Sequence, residues 1–279
     1  MKQAVIIMLK GLWIGGTLTV PGVSGGSMAM LLGIYDKLIF SINSVFKRKK
    51  SILFLAEFLA GSLAGIFLFS KSLLLLIERY PMPMRYFFLG AVAGGVPLIL
   101  NQAKVRRFSW KVVAYPVVGI GLVALIALIP TGLFSPDTHT GAGGFFLQLL
   151  GGLIVAIALV LPGISVSHML LMLGLYEGIM TSVSTFQILP LIPFGIGLVG
   201  GILLTSKVLE KAMRAFPQAT YLMIFGFLLG SLPELFPGVP TGWDLPLSLF
   251  TAAAGFTGVY AMFRLEQKKS ALQTRQKER

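Results

Sequence analysis

The sequence predicts an all-α polytopic membrane protein made of two inverted repeats, each a re-entrant helical hairpin plus three transmembrane helices. Three observations carry this prediction: long apolar segments, a duplicated motif that interrupts them, and basic clusters spaced to share one face. Hydrophobic residues make up 56% of the 279 positions, charged residues only 12%, and the mean hydropathy is +0.87. So few charges cannot cover a soluble domain of this size. The chain has no cysteine, which excludes disulfides, thiolate metal sites and cysteine nucleophiles. Its net charge of +13 reads as the Lys and Arg bias of cytoplasmic loops, not as a nucleic-acid surface.

Residues 4–20 are apolar apart from Lys10 and stop at Pro21-Gly22. More apolar sequence follows without an A-x-A-type site, so the opening does not read as a cleavable signal peptide. A second helix is expected from Ser27 to about Phe46, where Lys47-Arg48-Lys49-Lys50 marks the cytoplasm. Apolar segments follow near 52–70, 85–101 and 112–130, with an interfacial amphipathic turn expected from Lys71 to Pro81. The second unit repeats the plan with a broken pair at about 145–182 and segments near 188–206, 221–235 and 246–263. The first repeat is thus 1–135 with its tip at 21–27, and the second is 145–264 with its tip at 162–168. Residues 265–279 form a basic cytoplasmic tail, expected to be disordered and to lie on anionic headgroups.

The duplication is explicit. Pro21-Gly22-Val23-Ser24-Gly25-Gly26-Ser27 returns as Pro162-Gly163-Ile164-Ser165-Val166-Ser167-His168, 141 positions later. Seven of the 18 positions in 21–38 and 162–179 are identical, and Asp36 is matched by Glu177. Farther on, Lys71, Pro81, Gly90, Gly94, Pro97 and Gly119 recur as Lys207, Pro217, Gly226, Gly230, Pro233 and Gly255, at an offset of 136.

Charge then orders the topology. A re-entrant hairpin leaves each unit with three crossings, an odd number, so the two units must be inverted. The clusters 47–50, 104–111, 207–214 and 264–279 then share one side, and the loops 131–144, 183–187 and 236–245, free of Lys and Arg, share the other. A single broken crossing helix in place of each hairpin would mix these clusters across both faces. Two full spans per hairpin would give the same parity, but length favours re-entrance. Gly11 to Val20 spans about 15 Å as helix, half of a ~30 Å hydrocarbon core.

Non-helical backbone at membrane depth belongs where it is buried in protein or lines a wet cavity, and two such tips mark a transporter's substrate site. Ser24, Gly25, Gly26 and Ser27 on the first tip, with Ser165, Val166, Ser167 and His168 on the second, offer hydroxyls and free amides at helix starts, where anions bind. Tight helix packing is the competing explanation for such small residues. Lys71 and Lys207 each follow a serine just beyond a crossing segment and are candidates to receive an anion's charge, or to snorkel to headgroups. Glu57, Asp36, Glu177, Tyr35, Tyr176 and Arg85 are candidate coupling or gating positions, with helix-end and interfacial-anchor roles as the alternatives for the tyrosines and for Asp36 and Glu177. The two histidines, His139 and His168, make no metal site. No P-loop is present, so no cofactor or catalytic residue is expected and any energy comes from a coupling ion, H+ or Na+.

The two Pro-Gly tips, with Leu32-Gly33-Ile34-Tyr35-Asp36-Lys37 and Leu173-Gly174-Leu175-Tyr176-Glu177, resemble the PopT-type polyprenyl-phosphate translocases, a bacterial family long known only as a domain of unknown function. Ser70-Lys71 with Tyr80-Pro81, and Gly226 to Gly230 with Ser231-Leu232-Pro233, extend the likeness over nearly the whole chain. The second tip departs from the usual Gly- or Ser/Thr-rich turn at Val166-Ser167-His168. The resemblance implies return of undecaprenyl phosphate from the outer to the inner leaflet of the cytoplasmic membrane, recycling the carrier for peptidoglycan and other envelope polymers. An ion-coupled carrier of a small soluble anion is the alternative, and a membrane enzyme acting on a lipid phosphate comes third.

The topology is checked with single introduced cysteines, since the chain has none of its own. Position 48 is expected to label from one side of the membrane and positions 138 and 242 from the other. Labelling of 138 and 242 from the same side as 48 would overturn the inverted arrangement.

Overall fold

The structure is a computed structural model that describes residues 2–18, 23–105, 109–130, 141–185 and 187–277. Among them there is no strand. The first unit comprises α1 (Lys2–Thr17), α2 (Gly25–Leu31), α3 (Tyr35–Asn43), α4 (Lys49–Arg79), α5 (Pro81–Gln102) and α6 (Trp110–Ala127). The second comprises α7 (Gly141–Val160), α8 (Val166–Met172), α9 (Tyr176–Ser184), α10 (Ile192–Ala215), α11 (Pro217–Gly230), α12 (Leu232–Leu235) and α13 (Asp244–Lys277). The protein is a multi-pass membrane protein: six of the described helices are long and apolar enough to cross a bilayer, namely α4, α5, α6, α7, α10 and α13. Large apolar side chains such as Leu53, Leu63, Phe67, Leu125 and Phe250 are exposed on their outer faces, as a lipid-facing surface requires.

The duplication read from sequence reappears in the elements. α8 and α9 begin and end 141 positions after α2 and α3, and α11 begins 136 positions after α5. Packing follows the same rule: α1 lies along α4 as α7 lies along α10, and α5 lies along α13 as α11 lies along α6. Because α6 and α13 are the equivalent last helices, each unit packs against the last helix of the other.

All four pairs are closed by glycine. A Cβ on Gly15 would overlap the backbone of Ser62, and one on Gly61 would overlap Met8. Gly197 meets Leu149, Gly90 meets Ala252, and Gly226 meets Pro116 in the same way. Four of the helices carry these residues four apart, as Gly11/Gly15, Gly61/Gly65, Gly197/Gly201 and Gly90/Gly94, the spacing that lets helix backbones touch inside lipid.

Five sequence expectations change. The helix expected from Ser27 to Phe46 breaks at Gly33, and α2 and α3 meet at 117°. Gly33 and Gly174 both sit at φ 65, and Ile34 N–H reaches back to the Ala29 carbonyl (3.0 Å) as Leu175 N–H does to Leu170 (2.9 Å). This 6→1 bond around a left-handed glycine terminates a helix. The turn expected from Lys71 to Pro81 is instead continuous helix to Arg79, and the break falls at Tyr80, where Pro81 disfavours α geometry (φ −132, ψ 62). The expected segment 221–235 divides at Ser231 into α11 and the four-residue α12, which stops where Pro237 holds Phe236 extended. The tail is helical through Lys277, because Glu266 to Lys277 are mostly good helix formers that propagate from an existing span. The first arms are also longer than half-helices, with 16 residues in α1 and 20 in α7.

The basic clusters 47–50 and 207–214 come together. Arg48 and Arg214 both lie against the Phe40 ring, 5.3 and 5.7 Å from its centroid. Asn43 Nδ2 donates to Glu210 (2.6 Å) and to the Ser206 carbonyl (2.9 Å). At its other end α3 holds Asp36, which accepts from Tyr221 (2.7 Å) and Gln102 (3.4 Å). The starts of α4 and α11 and the ends of α5 and α10 therefore gather around α3.

The glycine contacts give a stability prediction. Gly197→Ala and Gly61→Ala are expected to cost about 1–3 kcal/mol each by overpacking, whereas Gly200→Ala, with nothing within 4 Å, is expected to be neutral. Thermal unfolding of the purified variants in one detergent checks the contrast.

Candidate functional site

The tips are assembled by the same local chemistry in both units. Ser24 and Ser165 precede α2 and α8 with extended backbone (φ −83, ψ 133 and φ −80, ψ 119), as helix caps do. The Ser165 hydroxyl accepts from His168 N–H at 3.3 Å, whereas the Ser24 hydroxyl makes no bond to its own helix. Gly163 sits at φ 84 against the backbone of Phe227, a position that a side chain would block on both counts.

The tips touch. Gly163 N–H donates to the Ser27 hydroxyl at 3.0 Å, and a Cβ on Gly26 would lie 3.3 Å from Pro162. Tyr35 strengthens the junction: it is buried, and its hydroxyl donates to the Val160 carbonyl at the end of α7 (2.6 Å). Lys10 Nζ donates to the Leu32 carbonyl at the end of α2 (2.6 Å).

Beside this junction lies a cavity of about 460 Å³. Ser24 and Gly25 of the first tip line it together with Ser165, Val166 and Ser167 of the second. Tyr176, Ser231 and Glu234 complete its polar wall, and Leu18, Val23, Leu159 and Ile164 supply an apolar one. The lining suits an amphipathic ligand with an anionic end, since it combines hydroxyl and amide groups with aliphatic side chains.

The expected site residues divide by position. Ser24, Gly25, Ser165, Val166, Ser167 and Tyr176 come together in the cavity. Gly26 and Ser27 instead form the contact between tips. His168 faces a smaller neighbouring cavity with Glu234 and α6, and its Nε2 is buried without a hydrogen-bond partner. Lys207 lines a separate surface cavity with Glu210, Lys211 and Arg214, and Lys71 is exposed on α4. Glu57 is half-buried among Lys37, Arg48, Lys49 and Lys50. Asp36 is held by Tyr221, Glu177 is exposed, and Arg85 is half-buried near the start of α5. Pro21, Gly22 and His139 lie outside the described residues.

Sequence reasoning missed Ser231 and Glu234. Both reach the cavity because α11 stops at Gly230, whereas α5 runs on past the equivalent Pro97. Pro233 and Pro237 flanking an acidic residue was the available signal.

A sequence model described as "VCA0040-like: Undecaprenyl phosphate translocase-like" matches residues 14–244. A curated protein of Vibrio cholerae named polyprenyl-phosphate transporter is 33% identical over 248 residues, which cover 82% of this chain and 76% of that one. One of the same name from Staphylococcus aureus is 33% identical over 259 residues, covering 88% and 92%. No solved structure matches.

The tip contact makes a testable distinction between two serines. Ser27→Ala leaves a buried amide without its acceptor and is expected to cost about 1–3 kcal/mol. Ser24→Ala removes no bond within its own helix and is expected to unfold with the wild type. Parallel melting curves decide.

Proposed function

Because this chain belongs to the undecaprenyl phosphate translocase-like family, we propose that it carries a polyprenyl phosphate across the bacterial cytoplasmic membrane, returning the lipid carrier from the outer to the inner leaflet for peptidoglycan and other envelope polymers. The observation that carries this reading is the convergence of both tips on one cavity. A phosphate charge cannot cross hydrocarbon unaided, while a polyprenyl tail never needs to leave it. Ser24, Ser165 and Ser167, with the tip amides, hold the phosphate near mid-membrane. Leu18 and Leu159 receive the first carbons of the tail. Both tip helices have only seven residues, so hydroxyl and amide donors contribute more than any macrodipole.

The two units are inverted in this proposal and both termini cytoplasmic, a parity that holds with α7 counted as a full span of its hairpin. Support comes from the meeting of the 47–50 and 207–214 clusters at one end of the bundle. Lys207 belongs to that end. Lys71 lies 22 residues along α4 from Lys49, about 33 Å of helix, which suits the opposite face. Each lysine then meets the phosphate on one side of the route.

Glu234 is the one carboxylate in the cavity lining. An ionised carboxylate repels a phosphate dianion, so Glu234 disfavours anion binding at its own side of the cavity.

Leaflet-resolved uptake in proteoliposomes tests these roles at matched amounts of folded protein. Ser24→Leu and Ser167→Leu are expected to abolish uptake. Lys71→Gln and Lys207→Gln each lose a charge-assisted contact and are expected to slow uptake roughly tenfold. Wild-type uptake by both serine variants, or preferred transport of soluble phosphate over the lipid, would sink the reading.

A further inference from the structure

A second cavity, of about 760 Å³, opens where the starts of α1 and α4 meet α3. Lys37, Arg48, Lys49 and Lys50 line it against a single carboxylate, Glu57. Apolar and hydroxyl side chains complete the lining, among them Ile7, Leu53, Phe54, Ser41 and Ser51. It is distinct from the tip cavity. Ile7 lines one and Leu18 the other, eleven positions apart on the run of α1, about 16 Å.

Two of the cations are positioned by aromatic rings. Lys37 Nζ lies 4.5 Å from the Phe54 centroid, and the Arg48 guanidinium 5.3 Å from that of Phe40. These contacts draw the two charges together from α3 and from the loop before α4, so they are not spread as in ordinary snorkelling. The first turn of α4 holds no acidic residue to balance Lys49 and Lys50. Glu57 lies seven residues beyond Lys50 on α4, about 10 Å deeper, so an anion is drawn to the mouth of the cavity and repelled from its floor. From the mouth, Leu53 leads onto the outer face of α4, where Leu59, Leu63 and Phe67 are exposed.

We infer that this cavity is a second lipid site, which holds the phosphate monoester headgroup of a lipid at the rim formed by Lys37, Arg48, Lys49 and Lys50, with the tail lying along α4. The inference does not depend on what the tip cavity transports. Two lipids share the chemistry, phosphatidic acid and a polyprenyl phosphate.

The full-length protein in phosphatidylcholine nanodiscs tests it, with a photoactivatable phosphatidic acid as probe and peptide mapping of the adducts. Adducts are expected on residues 3–7 and 53–57, falling about tenfold in Lys37→Gln/Arg48→Gln through loss of two charge-assisted contacts. Lys37→Arg/Arg48→Lys should retain them, and Glu57→Gln should equal or exceed the wild type. If the double Gln variant is not monodisperse, Lys37→Gln alone, on α3 and away from the basic loop, is read instead. Unlabelled lipids then compete: stronger displacement by polyprenyl phosphate identifies the carrier as occupant, and stronger displacement by phosphatidic acid identifies a resident phospholipid. Equal displacement by inorganic phosphate, or labelling indifferent to Lys37, overturns the site. Ser24→Leu should label normally here, so failure of the tip-cavity reading is told apart from failure of this one.

Discussion

The fold depends on how closely helix backbones approach one another at glycine. Inside lipid no hydrophobic force draws helices together, because the surrounding tails are as apolar as leucine, so contact area and backbone proximity must hold the bundle. Gly15 and Gly61 close α1 on α4, and Gly197 closes α10 on α7. The same device at Gly90 and Gly226 ties each unit to the last helix of the other. Neither unit is therefore complete without its partner.

Given that frame, the tips satisfy each other. A chain break inside the bilayer exposes amides that water cannot reach, and each must find a partner. Gly163 N–H finds the Ser27 hydroxyl across the junction, and the Val160 carbonyl finds Tyr35. These bonds run between units, so any change that separates the tips must break polar contacts in a low-dielectric setting. Motion that keeps them intact must move both tips together, leaving the outer helix pairs as the elements free to rock. The left-handed turns at Gly33 and Gly174 fit that division, since each fixes its short tip helix at a set angle to the next.

The duplication was legible in the sequence because it left coincident marks, such as Pro21 with Pro162 and Lys71 with Lys207, at two fixed offsets. The tip serines were legible for the same reason, and Ser24, Ser165 and Ser167 line one cavity. The break at Gly33 was not, since a glycine in an apolar run fits a continuous helix equally well. Only the bond from Ile34 N–H to Ala29 distinguishes the two. The split between Gly25 and its neighbours Gly26 and Ser27, one facing the cavity and the others facing Pro162 and Gly163, also needed tertiary structure. Adjacent residues in a two-turn helix point in different directions, and composition says nothing about which direction is occupied.

Where the units diverge, the divergence gathers at the cavity. Ser231 and Glu234 line it, and their counterparts at the 136 offset are Gly95 and Leu98. In the first unit those positions serve packing: Leu98 is buried, and any side chain on Gly95 would run into Leu31. In the second unit the helix ends early at Gly230, and the freed turn brings a hydroxyl and a carboxylate to the tips. A symmetric site would present identical surroundings to an anion arriving from either face and would favour neither direction on its own. With Glu234 in one unit and Leu98 at the matching position of the other, the charge lining the cavity comes from the second unit. Both tips supply hydroxyls to the cavity, and the early end of α11 adds the Ser231 hydroxyl and the Glu234 carboxylate from the second unit alone.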